Sequence, residues 1–148
     1  MQIEIRKANE NDSPFLFELR NQPSTYQYAK NPRLVEWQEH IDWLEPILKG
    51  ETQRHLFIIE FDGQKAGQTR IDIEDKEAEV NISLMPEFQG QGIAFVAIEK
   101  AMEKISQEQG VKIFRAHVHQ DNIASQKLFE KLGYQIETQE DVWIEYVL

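Results

Sequence analysis

Hydrophobic and polar residues follow two distinct periods along this chain. Apolar residues that recur every three or four positions predict amphipathic helices, and one-by-one alternation predicts half-buried strands. The first pattern predicts about four helices, over residues 13–20, 35–48, from the turn after 88 to about 109, and 122–132. The second predicts seven strands, over residues 2–6, 55–61, 65–73, 78–84, 112–119, 134–138 and 142–147. This order of elements predicts a mixed α/β sheet.

Residues with special backbone preferences mark the boundaries of these elements. Asp12 or Ser13 is expected to cap the first helix, and Asp62-Gly63 predicts a tight hairpin turn. The stretch 21–32 is rich in Asn, Pro, Ser and Gln and is expected to be a loop. The second helix is expected to bury a stripe of four residues, Trp37, Ile41, Leu44 and Leu48.

The residue composition limits the possible classes of chemistry. The chain has 148 residues, which suits a single domain over residues 1–148. It contains no cysteine, which excludes a disulfide scaffold, thiolate zinc sites and a cysteine nucleophile. His117 and His119 alternate along one predicted strand without a third ligand at metal spacing, so no metal is expected.

Charge and hydropathy narrow the expected partners. The formal net charge is −10, and a nucleic-acid partner is not expected because phosphate neutralisation needs a basic face. No apolar run reaches the length of a membrane span or a signal peptide. We therefore expect a cytoplasmic protein with no membrane partner.

The most informative segment lies between a predicted strand and the long helix, at residues 86–94 (PEFQGQGIA). Its glycines let the backbone approach a ligand, and the first helical amides, at the positive end of the helix dipole, can bind phosphate. The segment has no Lys-Ser/Thr ending of a P-loop, and Phe95 is too bulky for the third glycine of the dinucleotide fingerprint. The remaining pattern is Gln-x-x-Gly-x-Ala on Gln89, Gly92 and Ala94, which also fits an ordinary strand-to-helix turn.

This pattern resembles the pyrophosphate loop of the GNAT superfamily of acetyl-CoA-dependent N-acetyltransferases, which reads Gln/Arg-x-x-Gly-x-Gly/Ala. Residues 119–134 (HQDNIASQKLFEKLGY) are similar to a second family segment, Asn-x-x-Ser/Ala-x-x-Leu-Tyr-x-x-x-Gly-Phe. The motifs begin 33 residues apart (122 − 89 = 33), room for one helix and one strand, as the family requires. The resemblance covers nearly the whole chain. It implies one GNAT-like domain whose mixed, mostly antiparallel sheet splays at a cofactor cleft.

The resemblance implies that acetyl-CoA binds as co-substrate. Backbone groups of Leu84 and Met85 would pair with pantetheine, amides of the 89–94 turn would hold the pyrophosphate, and Asn122 would contact the cofactor while capping its helix. The residues implied in cofactor binding are Leu84, Met85, Gln89, Gly90, Gln91, Gly92, Ile93, Ala94, Asn122, Ser125 and Phe129.

The resemblance also implies direct attack of an acceptor amine on the thioester, in a ternary complex. The Met85 amide would stabilise the oxyanion, and Glu79 would remove the amine proton, although a solvated strand residue fits that position equally. Phe129 occupies the place where many members carry a tyrosine that protonates the thiolate. Tyr134 or a water would then serve, or the thiolate would leave unassisted. This departure leaves open a second class, a non-catalytic acyl-CoA-binding module.

The acceptor half of the chain is similar to N-acetyltransferases that act on UDP-linked 4-amino-4,6-dideoxy sugars. The matching stretches are residues 19–21, 39–44 and 67–72. Arg20 and Arg70 could hold a diphosphate by bidentate contacts, and Trp43 could offer a face to the sugar or uracil. A protein N-terminus is the alternative acceptor, since its amine loses a proton as readily. The residues expected to contact this small-molecule amine are Arg20, Asn21, His40, Trp43, Arg70, Asp72 and Asn81.

Overall fold

The computed structural model describes residues 2–148, which form one open mixed sheet with helices on both faces. Within that range the strands are β1 (Ile3–Lys7), β2 (Arg54–Phe61), β3 (Gln64–Glu74), β4 (Glu77–Leu84), β5 (Ile113–His119), β6 (Gln135–Glu140) and β7 (Trp143–Val147). The helices of the same range are α1 (Ser13–Arg20), α2 (Pro23–Tyr26), α3 (Trp37–Leu48), α4 (Ile93–Gln109) and α5 (Ile123–Lys131). The predicted mixed α/β class is confirmed.

The strands lie in the order β1-β2-β3-β4-β5-β7-β6. Neighbouring strands are antiparallel except β4 and β5, which are parallel and are connected by α4. The predicted hairpin turn joins β2 to β3, with φ of 49° at Asp62 and 84° at Gly63, as a type I′ turn requires. The predicted mostly antiparallel sheet is therefore confirmed as well.

The stretch 21–32, predicted as a loop, contains the one-turn helix α2, with Pro23 in its first turn. Asn21 holds the two ends of the segment 21–35 together, because its Nδ2 donates to the carbonyl of Val35 at 3.0 Å. The amide of Val35 in turn donates to Asn21 Oδ1 at 2.7 Å. Asn21 therefore shapes this segment, and its amide group is already occupied by backbone partners.

The buried face of α3 differs from the stripe predicted for the second helix. α3 turns His40, Leu44 and Ile47 inward, while Trp37 stays 44% exposed and packs edge-on against Phe17. The buried face is chosen by tertiary packing, since α3 lies against α1 and β2. Periodicity alone cannot separate two stripes that are one residue apart.

The core is divided between the two faces of the sheet. On one face α4 and α5 cover the central strands through a cluster that includes Phe57, Ile71, Val80, Ile98, Ile105, Phe129 and Tyr146. On the other face α1 and α3 cover β2 through Leu16, Leu44, Ile47, Leu56 and Ile58. Polar side chains of β3, β4 and β5 occupy the rest of that second face. No helix within residues 2–148 is both long enough and apolar enough to cross a bilayer.

Candidate active site

A wedge opens between the two parallel strands. β4 and β5 pair only where Glu77–Glu79 lies beside Ile113–Arg115, and beyond these residues the strands diverge. The gap widens into a cleft of about 1040 Å³. The turn before α4 closes one end of the cleft, and residues of α1, α2 and the segment up to Val35 line its other side.

The turn before α4 has the geometry of an anion site. Gly90 and Gly92 have φ of 76° and 78°, a left-handed backbone that glycine adopts without strain. A Cβ built on either glycine would meet no atom within 4 Å, so the space beside the turn is open. Gly92 caps the 17-residue helix α4 without a side-chain hydrogen bond, which leaves the first helical amides available. Such amides fit a pyrophosphate.

The glutamine that begins the motif braces this turn. Gln89 Nε2 donates to the carbonyl of Leu84 at 3.1 Å and lies 3.4 Å from Ser24 Oγ, which ties the turn to both β4 and α2. Gln91 donates to the carbonyl of Glu87 at 2.9 Å and is absent from the cleft wall in the described chain. The other members of the turn, Gly90, Gly92, Ile93 and Ala94, line the cleft.

The backbone of β4 corrects the expectation for Met85. The Met85 amide donates to the carbonyl of Ala66 on β3 at 2.8 Å, so it points away from the wedge. Because alternate residues of a strand direct both backbone groups to the same neighbour, Val80, Ile82 and Leu84 direct theirs toward the gap. The backbone groups available to a ligand are therefore those of the even-numbered residues, except the Leu84 carbonyl, which accepts from Gln89 Nε2. The oxyanion donor expected at Met85 has to be sought among their amides.

The second motif forms the opposite wall. Asn122 caps α5 by accepting a hydrogen bond from the Ser125 amide at 3.1 Å, and both residues line the cleft together with the buried ring of Phe129. Tyr134, considered as a proton donor to the thiolate, is buried in the core, and its hydroxyl donates to Met102 Sδ at 3.2 Å. Burial raises the pKa of Tyr134 well above its usual range. It does not line the cleft, and that candidate is wrong.

We expect Gly92→Glu to abolish the stabilisation by acetyl-CoA, because a carboxylate would occupy the open space beside the amides and repel the pyrophosphate. Wild type at a hundred times the dissociation constant should gain about 2.7 kcal/mol. For a chain of this length that gain raises Tm by roughly 5–10 °C. The measurement is the melting temperature with and without acetyl-CoA.

Gly110→Glu is the matched control. Gly110 ends α4 with φ of 67° in equally open space, so the variant adds the same charge and similar strain away from the cleft. It should keep the full shift in Tm. An undiminished shift in Gly92→Glu would show that the pyrophosphate binds elsewhere.

Glu79, the expected base, stands at the closed end of the wedge. Its Oε1 is hydrogen-bonded to Nδ1 of His117 on β5. His117 lines the cleft, whereas Glu79 is not among the lining residues in the described part of the chain. Nε2 of the same imidazole lies 3.6 Å from Glu145 Oε2 on β7. Glu79 is therefore hydrogen-bonded to a cleft-lining histidine, and its own side chain is 41% exposed.

Two arginines share the indole of Trp43 in the acceptor part of the cleft. The Cζ atoms of Arg20 and Arg70 lie 4.6 Å and 5.3 Å from its ring centroid. Arg70 Nε also bonds both carboxylate oxygens of Asp72, at 3.0 Å and 3.2 Å. Within residues 2–148, Arg20 has no carboxylate oxygen within 4.0 Å. The indole is thus occupied by guanidinium groups, and the expectation that Trp43 offers a face to uracil is not supported.

His40 contributes to the position of Arg20. It is 0% exposed, and its Nδ1 lies 3.4 Å from Arg20 Nη1. Burial lowers the pKa of His40, and the neighbouring Arg20 charge lowers it further. A neutral imidazole can accept the guanidinium hydrogen bond, which holds the arginine over Trp43.

Sequence reasoning missed Gln68, which organises the polar floor of the cleft. Its Nε2 donates to Asn81 Oδ1 at 2.9 Å and to Ser83 Oγ at 2.6 Å. Gln68 is 7% exposed, and within the described chain its Oε1 is buried without a partner. Asn81 was expected in the site and does line the cleft. Gln68 lies opposite Ser83 in the pairing of β3 with β4. The alternation along each strand indicates this contact only when the register between the strands is known.

The roof of the cleft was also missed. Ser24 and Tyr28 line the cleft from the stretch 21–32 that was predicted as a loop, and Arg33 lines it directly after that stretch. The Tyr28 ring lies 5.6 Å from that of His119 on β5, so the segment reaches across the opening. A low-hydropathy sequence without periodicity carries no signal for such a contact.

The lining of the cleft is less acidic than the protein as a whole. The net charge is −10, yet the cleft-lining residues of the described chain include one carboxylate, Asp121. Asp72 lies just outside the wall, paired with Arg70. In residues 2–148 no group of three His, Cys, Asp or Glu side chains could hold a metal. The cationic side chains of the lining are Arg20, Arg33, Arg54, Arg70 and Lys131.

Comparison with known proteins agrees with this architecture. A family model described as an acetyltransferase (GNAT) domain matches residues 2–135. Spermidine N(1)-acetyltransferase of Escherichia coli strain K12 is 25% identical over 138 residues, which cover 91% of this chain and 74% of that protein.

Solved structures share the fold at low identity. A spermidine N-acetyltransferase from Vibrio cholerae, in complex with CoA and spermine, has a TM-score of 0.88 at 18% identity over 99% of this chain and 95% of that one. A ribosomal L7/L12 alpha-N-protein acetyltransferase in complex with CoA has a TM-score of 0.86 at 20% identity, over 100% and 94%. A domain from Methanocaldococcus jannaschii has a TM-score of 0.87 at 22% identity, over 99% and 97%.

Proposed function

The chain belongs to the GNAT acetyltransferase domain family and is an acetyl-CoA-dependent N-acetyltransferase, and we propose that its acceptor is a UDP-linked 4-amino-4,6-dideoxy sugar. The observation that carries the proposal is the pair of arginines on Trp43, in a cleft lined by five cationic side chains and one carboxylate. Guanidinium groups recognise phosphate by bidentate hydrogen bonds. An acceptor with a diphosphate matches this lining.

The same lining argues against a polyamine. Spermidine carries several positive charges at neutral pH, and a site for it needs carboxylates to compensate them. Arg20 and Arg54, which have no carboxylate oxygen within 4.0 Å in the described chain, would instead face like charges. We therefore do not expect spermidine to be the acceptor of this chain, although the transfer of an acetyl group to an amine is the same chemistry.

In the proposed reaction the chain supplies three things to the transfer. The α4 amides hold the pyrophosphate, the free backbone groups of β4 align the pantetheine arm, and the amide of Leu84 or Ile82 stabilises the oxyanion. The thiolate leaves without a protein donor at Phe129, which a thiol pKa near 8.5 tolerates. An amino-sugar nitrogen is less basic than lysine, so a modest base is sufficient.

The experiment is thiol release from acetyl-CoA with three acceptors: a UDP-linked 4-amino-4,6-dideoxy sugar, spermidine and a short peptide with a free N-terminus. We expect turnover of the nucleotide sugar at least about tenfold above the other two in kcat/KM, which corresponds to about 1.4 kcal/mol. Turnover confined to the peptide would favour N-terminal acetylation and contradict the sugar. Turnover confined to spermidine would show that the arginines do not select the acceptor.

We expect Arg70→Gln to raise KM for the nucleotide sugar about tenfold or more, because a charge-assisted hydrogen bond to the diphosphate contributes about 1.5–3 kcal/mol. KM for acetyl-CoA should stay unchanged. Lys104→Gln removes the same charge on the outer surface of α4, where Lys104 pairs with Glu108, and should change neither constant. An unchanged sugar KM in Arg70→Gln would remove Arg70 from the site.

A further inference from the structure

We propose that His117, and not Glu79, is the general base that takes the proton of the acceptor amine, and that Glu79 positions it. The inference rests on the acetyl transfer and not on the identity of the acceptor. His117 is two residues beyond Arg115, the last residue of β5 that pairs with β4. His117 lines the cleft at the apex of the wedge, whereas Glu79 does not line it and is hydrogen-bonded to Nδ1 of the ring.

The position of His117 matches the expected path of the thioester. The pyrophosphate site at Gly90–Gly92 marks the open end of the wedge, and residues 80–84 of β4 lead from it toward the apex. Five strand residues span about 17 Å. A pantetheine arm laid along the free backbone groups of this strand therefore brings its thiol end toward His117.

The hydrogen bond to Glu79 sets the tautomer of the imidazole. A carboxylate oxygen accepts, so the proton of the neutral ring is on Nδ1, and Nε2 carries the lone pair. Glu145 Oε2 is 3.6 Å from Nε2, beyond hydrogen-bond distance, and leaves that lone pair free. Glu79 thus orients the ring, and Nε2 is the acceptor nitrogen of this neutral tautomer.

Charged and titratable side chains surround the ring of His117. Those on the strands around this face include Arg70, Asp72, Glu74, Glu77, Glu79, Arg115, His119, Glu137 and Glu145. Arg115 is shared among Glu77, Glu137 and Glu145. Carboxylates therefore outnumber cations on this face of the sheet.

The neutral amine nitrogen attacks the thioester carbonyl, a C–N bond forms, and the proton of the amine passes to Nε2 of His117. The C–S bond then breaks, and its electron pair leaves on the sulfur of CoA. Solvent protonates this thiolate, and the imidazolium releases its proton to solvent, so the products are the acetamide and CoA thiol.

The test compares His117→Ala, His117→Asn and Glu79→Gln in kcat/KM against pH, using whichever of the three panel acceptors turns over fastest. In both histidine variants kcat/KM should fall about 10²–10⁴-fold. Imidazole added to the buffer should restore at least tenfold to His117→Ala and nothing to wild type. The rise in Tm with acetyl-CoA should be kept, which separates loss of the base from loss of the fold or of cofactor binding.

Glu79→Gln distinguishes the two assignments. If Glu79 positions His117, the acidic limb of the pH profile persists in Glu79→Gln, because the imidazole that takes the proton is still present, and kcat falls less than in His117→Ala. If Glu79 is the base, the limb disappears and His117→Ala loses less than Glu79→Gln. That result would overturn the proposal. So would a kcat/KM of His117→Ala within threefold of wild type with its Tm shift intact, or the absence of rescue by imidazole. Preference for spermidine or the peptide would contradict only the sugar acceptor.

Discussion

Replacement of Gly67 by alanine is expected to destabilise the protein by about 3 kcal/mol or more. A Cβ at this position would lie 2.2 Å from the carbonyl oxygen of Ser83 and 2.8 Å from Leu84 Cα. Both atoms belong to the backbone of β4, so β3 and β4 would have to separate. Overpacking of a core costs about 1–3 kcal/mol even where side chains can move, and a rigid backbone gives less relief. The measurement is the free energy of unfolding in urea.

Gly50→Ala is the control for this variant. Gly50 has φ of 73° and open space beside it. The alanine variant therefore loses about 1–2 kcal/mol of stability, through the left-handed backbone alone. Because Leu84 lies where the wedge opens, Gly67→Ala should also weaken the rise in Tm with acetyl-CoA, whereas Gly50→Ala should not. A Gly67→Ala variant as stable as Gly50→Ala would mean that the two strands do not approach so closely.

The second large effect is expected for Asp12→Ala, which should cost about 3 kcal/mol. Asp12 is 1% exposed, and its carboxylate bonds the Arg6 guanidinium through two contacts of 2.8 Å and Lys65 Nζ at 2.8 Å. Removing one partner of a buried ion pair costs about 3–5 kcal/mol. The lower end applies because Arg6 and Lys65 remain 35% exposed. Glu60→Gln, which removes a half-exposed partner of Arg6, should cost less than about 1 kcal/mol.

The carboxylate of Asp12 also makes the free energy of unfolding depend on pH. Burial alone would raise the pKa of Asp12, but hydrogen bonds from Arg6, Lys65 and the Asn9 amide outweigh it and hold the pKa well below its usual range. The folded state then binds this proton less readily than the unfolded state. Its contribution to stability is present above the unfolded pKa near 3.9 and is lost as pH falls toward the folded value. Unfolding free energies measured from pH 6 to pH 2 should fall less steeply in Asp12→Ala than in wild type; parallel curves would contradict the assignment.

The predictions that came true depend on contiguous sequence. Alternation along 78–84, the Asp62-Gly63 turn and the glycine-rich turn before α4 each involve neighbouring residues, whose local preferences agree with the final fold. The turn proposed to bind the cofactor could be found for the same reason. The groups expected to bind the pyrophosphate are backbone amides, and their position follows from the glycines and the start of the helix.

The errors involve residues that tertiary pairing brings together. Whether the Met85 amide faces the wedge or β3 depends on the register with Ala66, which alternation along one strand does not specify. The pairing of Glu79 with His117 joins strands that are separated by the whole of α4. Likewise, the arginine pair on Trp43 combines side chains of α1, α3 and β3. No local pattern predicts such contacts.

Recognition of an anionic acceptor by the cleft is tested most directly by two acceptors that share the amino sugar, one with and one without the nucleotide diphosphate. The measurement is kcat/KM for the UDP-linked 4-amino-4,6-dideoxy sugar divided by kcat/KM for the same amino sugar without the nucleotide. Two charge-assisted contacts of about 1.5 kcal/mol each predict a ratio on the order of 10². A ratio near one would contradict the account, because Arg20 and Arg70 would then contribute nothing to the choice of acceptor.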